Sequence, residues 1–569
     1  MLRGMGTVVD AIASAGQQDR PAALTVAGTG SGVDTCLPWP VLHQQARRMA
    51  SVLAGHGIGP GSRVGLLADT SVGLVTAIQA VWLRGAALTI LPLPDRTGRP
   101  GQLAHLLAVL ADARLDLVVI DEGSREAGPA LSEAVRVMPL STLDLAATGA
   151  APATAVRPGP DDLAVLQYTS GSTSAPRGVP VSHGNLAANL TAIAAVIGRD
   201  EVGPATSSWV SWLPLYHDMG LIGFLALPMS RGCPLVLQSP LAFALRPASW
   251  LERLSRHRAT ITGAPNFAYS LMAQLLEAGV AADLSTVRTM ISGGEPVDAG
   301  MMARFTAVAG RHGLDPRAVV AAYGLAESTL AVSFSRIGGG VTVDEVDRDT
   351  LERDGRARRA AAGRPARRLV RLGRAVPGTQ IRVVDSRTGA PVEPRMVGHI
   401  EVSGPSVVGG YWGEAPRPSG GWLRTGDLGY LADGELVVCG RAKDVLFAAG
   451  RNVYPQDVEA AAAAVPGVRP GGAAAFGIPA DEGDRLVVAV ESRGADSTAL
   501  RRAVAVAVAA ETGMAPADVV TLRLGRLPKT SSGKLRRAET RRRYLAGELA
   551  AGGSPLVPPL VSPLVERSV

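Results

Sequence analysis

Cysteine is scarce in this chain of 569 residues: Cys36, Cys233 and Cys439 are all it has. No CxxC pair or metal-ligand spacing joins them, which argues against a disulfide framework and a thiolate zinc site and makes a reducing cytoplasm the expected setting. Aromatic residues make up 4% against 47% hydrophobic residues overall, so Ala, Val and Leu must build the core. Long apolar runs are missing too. The most apolar stretch, Thr70 to Leu83, falls short of the ~20 residues that span a bilayer, and Met1 to Arg20 lacks the apolar block of an export signal. No repeat period appears, which argues against solenoids and propellers. No basic module interleaved with aromatics occurs either, so the net charge of +7 reads as a solvated basic surface, compatible with an anionic small substrate but not with nucleic acid.

What is present is alternation. Short β-branched or apolar runs such as Val64 to Leu67 precede helical periodicities such as Val72 to Trp82, the pattern of α/β layers with largely parallel sheets. Leu163 to Thr169 reads as a buried strand, followed by a polar loop over Ser170 to Gly178 and a strand at Val179 to Val181. A helix then carries Leu186, Leu190, Ile193 and Ile197 behind a Ser182 cap. Gly429 to Gly440 reads as a hairpin turning at Asp433-Gly434. The charged connector Gly440 to Asp444 leads to a Pro-initiated helix at Pro455 and strands near Leu486 to Val490. The expected organisation is a large body over 1–440, a hinge at 441–445, a small α+β unit over 446–550 and a disordered Pro-rich tail over 551–569. Asp344 to Arg368, acidic and then arginine-rich with few apolar anchors, reads as an insertional, loosely held segment.

Tyr168 to Gly178 packs hydroxyls, glycines and the cation Arg177 into the loop after a strand. Backbone N–H groups and hydroxyls of this kind can wrap phosphate oxygens, and the same composition also suits a plain surface turn. It is not a Walker A loop, because the Gly-Lys-Ser/Thr ending is missing.

This loop resembles the first signature of the adenylate-forming superfamily of acyl-CoA synthetases, luciferases and peptide-synthetase adenylation domains. Five further segments follow in that family's order: Ile291 to Pro296, Ala322 to Ser328, Trp422 to Gly429, Gly440 to Asp444, and Leu527 to Lys534. The resemblance implies a layered α/β body of three subdomains, a mobile α+β lid, and ATP with Mg2+. It implies nucleotide contacts from Thr169, Ser170, Gly171, Ser172, Thr173, Arg177, Gly293, Gly294, Glu295, Ala322, Tyr323, Gly324, Ser328, Asp427 and Arg441. Tyr323 can stack on adenine, Asp427 can accept from the ribose hydroxyls, and Glu327 is a hard oxygen donor suited to magnesium, with Thr169 beside it. Lys534 is expected to meet the charge that grows on the α-phosphate as a carboxylate attacks, and Lys443 to be the hinge. Ser174 and Arg177 depart from the glycine and lysine usual at those places.

Trp212 to Gly223, with Gly263 to Tyr269 and Tyr323 to Leu330, is most similar to the fatty-acyl-AMP ligase branch. That likeness implies activation of a free fatty acid to acyl adenylate, with release of pyrophosphate. It further implies transfer to the phosphopantetheine thiol of an acyl carrier protein, acting in trans because no carrier-like Asp-Ser-Leu segment follows the lysine loop. His217 becomes the gate of a carboxylate pocket, walled by Gly223, Phe224, Met229, Met290 and Ala331. The charged segment over Asp344 to Arg368 lies where those ligases carry an insertion associated with poor use of coenzyme A; an inert charged loop and a contact for an acidic carrier are the alternatives. An acyl-CoA or aryl-CoA synthetase and a catalytically silent nucleotide binder are the competing functions. The acid's chain length, branching or aromaticity is left open.

Overall fold

Two parallel sheets form the bulk of the fold because their strands are apolar on both faces. The computed structural model describes residues 6–17, 22–28, 33–93, 102–169, 176–198, 201–415, 417, 421–448, 450–480, 483–492, 494, 498–530 and 534–549. One sheet has six strands in the order Val137–Pro139, Leu117–Ile120, Arg63–Leu67, Ala87–Ile90, Leu163–Thr169 and Arg177–Ser182. The first five are parallel, and the last pairs antiparallel with Leu163–Thr169, which sets Arg177 opposite Thr169. A nine-stranded sheet has a parallel centre of Leu235–Leu237, Trp209–Ser211, Ile261–Ala264, Thr289–Ser292 and Val319–Gly324. Every residue of Ile261–Ala264 and Thr289–Ser292 is buried, as strands covered on both faces require.

One apolar core serves both sheets, joining Val64, Leu66 and Val119 to Val210, Ile261 and Met290. The helix Val72–Leu83 runs through it, wholly buried from Leu74 onward and capped by Ser71, which explains the apolar stretch without a membrane. No helix among the described residues is long and apolar enough to cross a bilayer. Ser182 caps His183–Ile197 in a reciprocal box with Asn185.

A four-stranded antiparallel sheet follows: Gln380–Val384, Gly398–Ser403, Leu423–Ala432 and Glu435–Arg441. Its last turn holds Asp433 and Gly434 at φ of 55° and 78°, the left-handed pair that a two-residue hairpin demands. Residues from Leu446 onward build five strands around Gly483–Ser492, packed on Pro455–Ala463 and Thr498–Thr512 over a separate core of Val458, Val488, Val504 and Val508. The expected Pro-rich tail lies outside the described residues.

The charged segment Asp344 to Arg368 corrects the expectation of loose anchoring. Val343–Asp347 pairs antiparallel with Ala366–Val370, and the helix Arg348–Asp354 lies between them. Its anchors are a few buried apolar side chains, Val346, Leu351 and Ala357, packed with Tyr430 and Tyr454, together with paired charges. Buried Asp344 accepts from Tyr430 at 2.7 Å and pairs with Arg395 and Arg371 at 2.8 and 3.3 Å. Arg367 lies over the Tyr454 ring, pairs with Asp457 at 2.6 Å and donates to the Cys439 carbonyl. Composition alone misleads here, because buried charges are stable once paired and hydrogen-bonded.

Candidate active site

The parallel strands Ile261–Ala264, Thr289–Ser292 and Val319–Gly324 end at one edge, where open α/β sheets keep their ligand crevice. Gly293, Gly294 and Glu295 follow the second of these strands, while Ala322, Tyr323 and Gly324 close the third. The Tyr323 hydroxyl donates to Asp427 at 2.5 Å, and Arg441 pairs with the other carboxylate oxygen at 3.0 Å, so the nine-stranded and four-stranded sheets meet at this carboxylate. Burial pushes the Asp427 carboxyl upward, opposed by Arg441 and by the Tyr323 bond. Burial and the Asp427 charge together raise the Tyr323 phenol far above its usual range, keeping it a donor. Asp427 retains lone pairs for further donors, which vicinal hydroxyls can supply.

Glu327 stands in a strained turn. Thr329, β-branched and buried, has φ 66° and ψ −59°, and the Leu330 N–H donates to the Ser328 carbonyl at 2.7 Å, making the rarer positive-φ γ-turn. Three fasteners hold it. The Thr329 hydroxyl donates to the Ser406 carbonyl at 2.7 Å. Buried Asn189 donates to the Ser328 and Ala331 carbonyls and accepts from the Ala331 N–H. The Val408 N–H donates to the Glu327 carbonyl at 2.9 Å.

Beyond the turn, the Tyr411 hydroxyl donates to the Glu327 carboxylate at 2.6 Å. The Tyr411 ring carries the Arg177 guanidinium at 3.9 Å, and Glu414 pairs with Arg177 at 2.7 Å. Thr169 sits opposite Arg177 in the hairpin ladder. Ser170, Gly171, Ser172, Thr173 and Ser174 lie outside the described residues.

Across the crevice, Gln167 donates to the Tyr216 carbonyl at 2.7 Å and steadies the turn bearing His217. His217 and Asp218 approach at 2.7 Å. Burial works against ionisation of Asp218, yet its carboxyl stays below the usual range because His217 and Lys534 both favour the charge. Lys534 also acts on half-buried Glu295, whose carboxyl desolvation pushes up against the pull of the Asn266 N–H and of Lys534. The lysine loop is pinned as a small hairpin, with the Thr530 N–H donating to the Lys534 carbonyl at 2.8 Å and the Lys534 N–H to the Thr530 hydroxyl at 3.0 Å. Lys443 follows Arg441 in a turn closed by the Asp444 N–H donating to the Arg441 carbonyl at 3.0 Å, and the Ala442 N–H ties this turn to the Gly426 carbonyl at 2.9 Å.

The predicted acyl-pocket residues lie in the buried core. Met219–Ala226 is π-helical, a geometry common near functional sites. Gly220 is required there, since a Cβ would lie 2.1 Å from the Pro214 carbonyl oxygen. A Cβ on Gly223 would face Leu330 at 3.1 Å, and one on Gly263 would sit 2.6 Å from the tip of the Phe224 ring. Met290 and Ala331 are buried on strands that flank Val319–Gly324 on either side, whereas Met229 belongs to Leu227–Arg231, which packs on the N-terminal helix Val8–Ala15.

Asn189, Asp218, Tyr411 and Glu414 belong to this site although the sequence motifs do not single them out. One signal was available: Tyr411-Trp412 is an aromatic pair between glycines in a chain with 8 Tyr and 7 Trp.

The family model for AMP-binding enzymes matches residues 13–412. A Mycobacterium tuberculosis protein, Rv1013, named only as a ligase, is 40% identical over 516 residues, covering 88% of this chain and 93% of its own. A 4-hydroxyphenylalkanoate adenylyltransferase of the same organism is 35% identical over 558 residues, covering 91% and 88%. Among solved structures, one from a study of fatty acyl-adenylate ligases of E. coli and L. pneumophila superposes with a TM-score of 0.86 at 34% identity, covering 95% of this chain and 98% of that one.

Proposed function

Because the chain belongs to the AMP-binding enzyme family, whose members include ATP-dependent, AMP-forming acid ligases, we propose that it is a fatty-acyl-AMP ligase that passes its acyl group to a carrier protein in trans. One observation carries the reading: Tyr323 and Arg441 converge on the Asp427 carboxylate at 2.5 and 3.0 Å, while Tyr411 joins Glu327 to Arg177 at 2.6 and 3.9 Å.

In this reading Tyr323 stacks on adenine, with Ala322, Gly324 and the Gly293 to Glu295 turn around it. Asp427 and Arg441 hold the ribose, and the Thr169 to Thr173 loop and Arg177 hold the phosphates. Glu327 suits a magnesium ion, being a hard oxygen donor, and would hold it together with the phosphates of the nucleotide. When bound, that ion neutralises and aligns the phosphates. His217 gates the carboxylate, which attacks the α-phosphorus and expels pyrophosphate as Lys534 steadies the charge developing there. The unit beyond Lys443 then rotates about that residue, withdrawing Lys534 and admitting the pantetheine thiol, which takes the acyl group as a thioester and releases AMP.

A second reading, an acid ending in an aromatic ring, is favoured by the relative named as a 4-hydroxyphenylalkanoate adenylyltransferase. Hydroxamate trapping across a panel of straight-chain and aromatic-ended acids separates the two. Phosphopantetheinylated carrier and free coenzyme A are then offered in turn. Equal transfer to coenzyme A would replace the proposed ligase with an acyl-CoA synthetase.

A further inference from the structure

We propose that Tyr411 is a positioning residue tying the carboxylate of Glu327 to the cation of Arg177, and that Glu414 holds this guanidinium until a triphosphate takes it over. The proposal rests on the reading of Glu327 and Arg177 as nucleotide-facing groups.

One short turn reaches both partners. Its Tyr411 hydroxyl donates to Glu327 at 2.6 Å, while the face of the same ring carries Arg177 at 3.9 Å. The backbone fastens the same two places. The Val408 N–H holds the Glu327 carbonyl at 2.9 Å, and the Trp412 N–H holds the Gly178 carbonyl, next to Arg177, at 2.8 Å. The Trp412 indole further donates to the Asp112 carbonyl at 3.1 Å. Glu327 and Arg177 arrive from different sheets, so their spacing is set where this turn bridges them.

The two bonds to charged groups differ in permanence. The Arg177 and Glu414 side chains are 47% and 53% exposed, and an ion pair so open to water is weak and readily exchanged for a multiply charged anion. The bond from Tyr411 to Glu327 is part-buried and charge-assisted, so it persists. Once Glu414 lets go, the planar guanidinium still lies on the ring, which a lysine ammonium would do less well. The turn therefore presents a fixed carboxylate and an aimed cation before the nucleotide arrives.

Calorimetric titration of ATP into the full chain, without any acid, with Mg2+ or with EDTA, tests this directly. Tyr411→Phe keeps the ring and loses the hydroxyl; it should bind MgATP about tenfold more weakly and metal-free ATP as the wild type does. Glu414→Gln, on the surface, should bind both forms about threefold more tightly. Tyr411→Leu, which removes ring and hydroxyl, should weaken both forms. Unchanged MgATP affinity in Tyr411→Phe, or an equal loss for both forms, would overturn the positioning role, and unchanged or weaker binding by Glu414→Gln would overturn the exchange. Acid activation is scored separately, so a wild type that binds nucleotide but activates no acid sinks the ligase reading without touching this one.

Discussion

Lysine occurs at only three positions among 57 Lys and Arg residues, Lys443, Lys529 and Lys534, all in the connector and the lysine loop. A chain that otherwise uses arginine keeps lysine where a compact ammonium on a flexible stem suits a changing geometry better than a planar fork. Lys529 donates to the Gly471 carbonyl at 2.8 Å and, like Lys534, favours the charged form of Glu295, while Lys534 also favours that of Asp218. Lys534→Ala should leave ATP affinity nearly intact and slow adenylate formation at least about a hundredfold in single-turnover assays; an unaltered rate would remove Lys534 from the chemistry. Phe224 sets a second test. Its ring tip closes on Gly263 with no room for a Cβ, and it meets Trp209 edge-on at 5.7 Å. Phe224→Ala should cost about 3–5 kcal/mol in denaturant unfolding and move the preferred acid toward longer chains, read by hydroxamate trapping. A long acid should also raise the melting temperature of the variant more than that of the wild type.

At the scale of elements, the γ-turn at Thr329 joins the strand ending at Gly324 to the strand Ala331–Phe334 and exposes Glu327 between them. Its strain persists because Asn189, on His183–Ile197, satisfies three backbone groups around it. Asn189→Ala leaves those groups buried and unpaired, so chemical denaturation should show a loss of about 1–3 kcal/mol. Acid-dependent pyrophosphate exchange should fall with it, because Glu327 loses its fixed perch. Several elements were legible from local pattern: the Ser182 cap, the Asp433-Gly434 hairpin and the Pro455 helix start all depend on residues within one or two turns of each other. The π-helix at Met219–Ala226 was not, since its apolar run suits any buried helix. Nor was Asn189, which looks like one more polar residue on an amphipathic helix.

For the whole molecule, the decisive contacts run between the charged segment Asp344 to Arg368 and the C-terminal unit. Arg348 pairs with Glu511, Arg451 with Glu352 at 3.4 Å, and Arg367 with Asp457 at 2.6 Å; the connector joins through Asp444 and Arg537 at 2.9 Å. Burial raises the Glu352 carboxyl to about 7 from an ordinary 4.5, against the pull of Arg451 and Arg348. The folded protein therefore holds this proton more tightly than the unfolded chain. The stabilisation it contributes is complete below about pH 4.5 and is lost as pH rises through about 7. Glu352→Gln stays neutral throughout, so its melting temperature should gain on the wild type between about pH 5 and about pH 8. A gap independent of pH would show that Glu352 does not titrate there.

The α/β class, the order of the motif segments and the residue types suited to phosphate, ribose and metal are properties of contiguous residues, and the sequence by itself determined them. Only tertiary structure decided which charges meet. Tyr411 and Glu327 are 84 residues apart, and Tyr323 and Asp427 are 104 apart. The segment Asp344 to Arg368 shows the same division: composition reports its charges, but a charge is stable inside a protein only beside a partner, and the path of the chain chooses that partner.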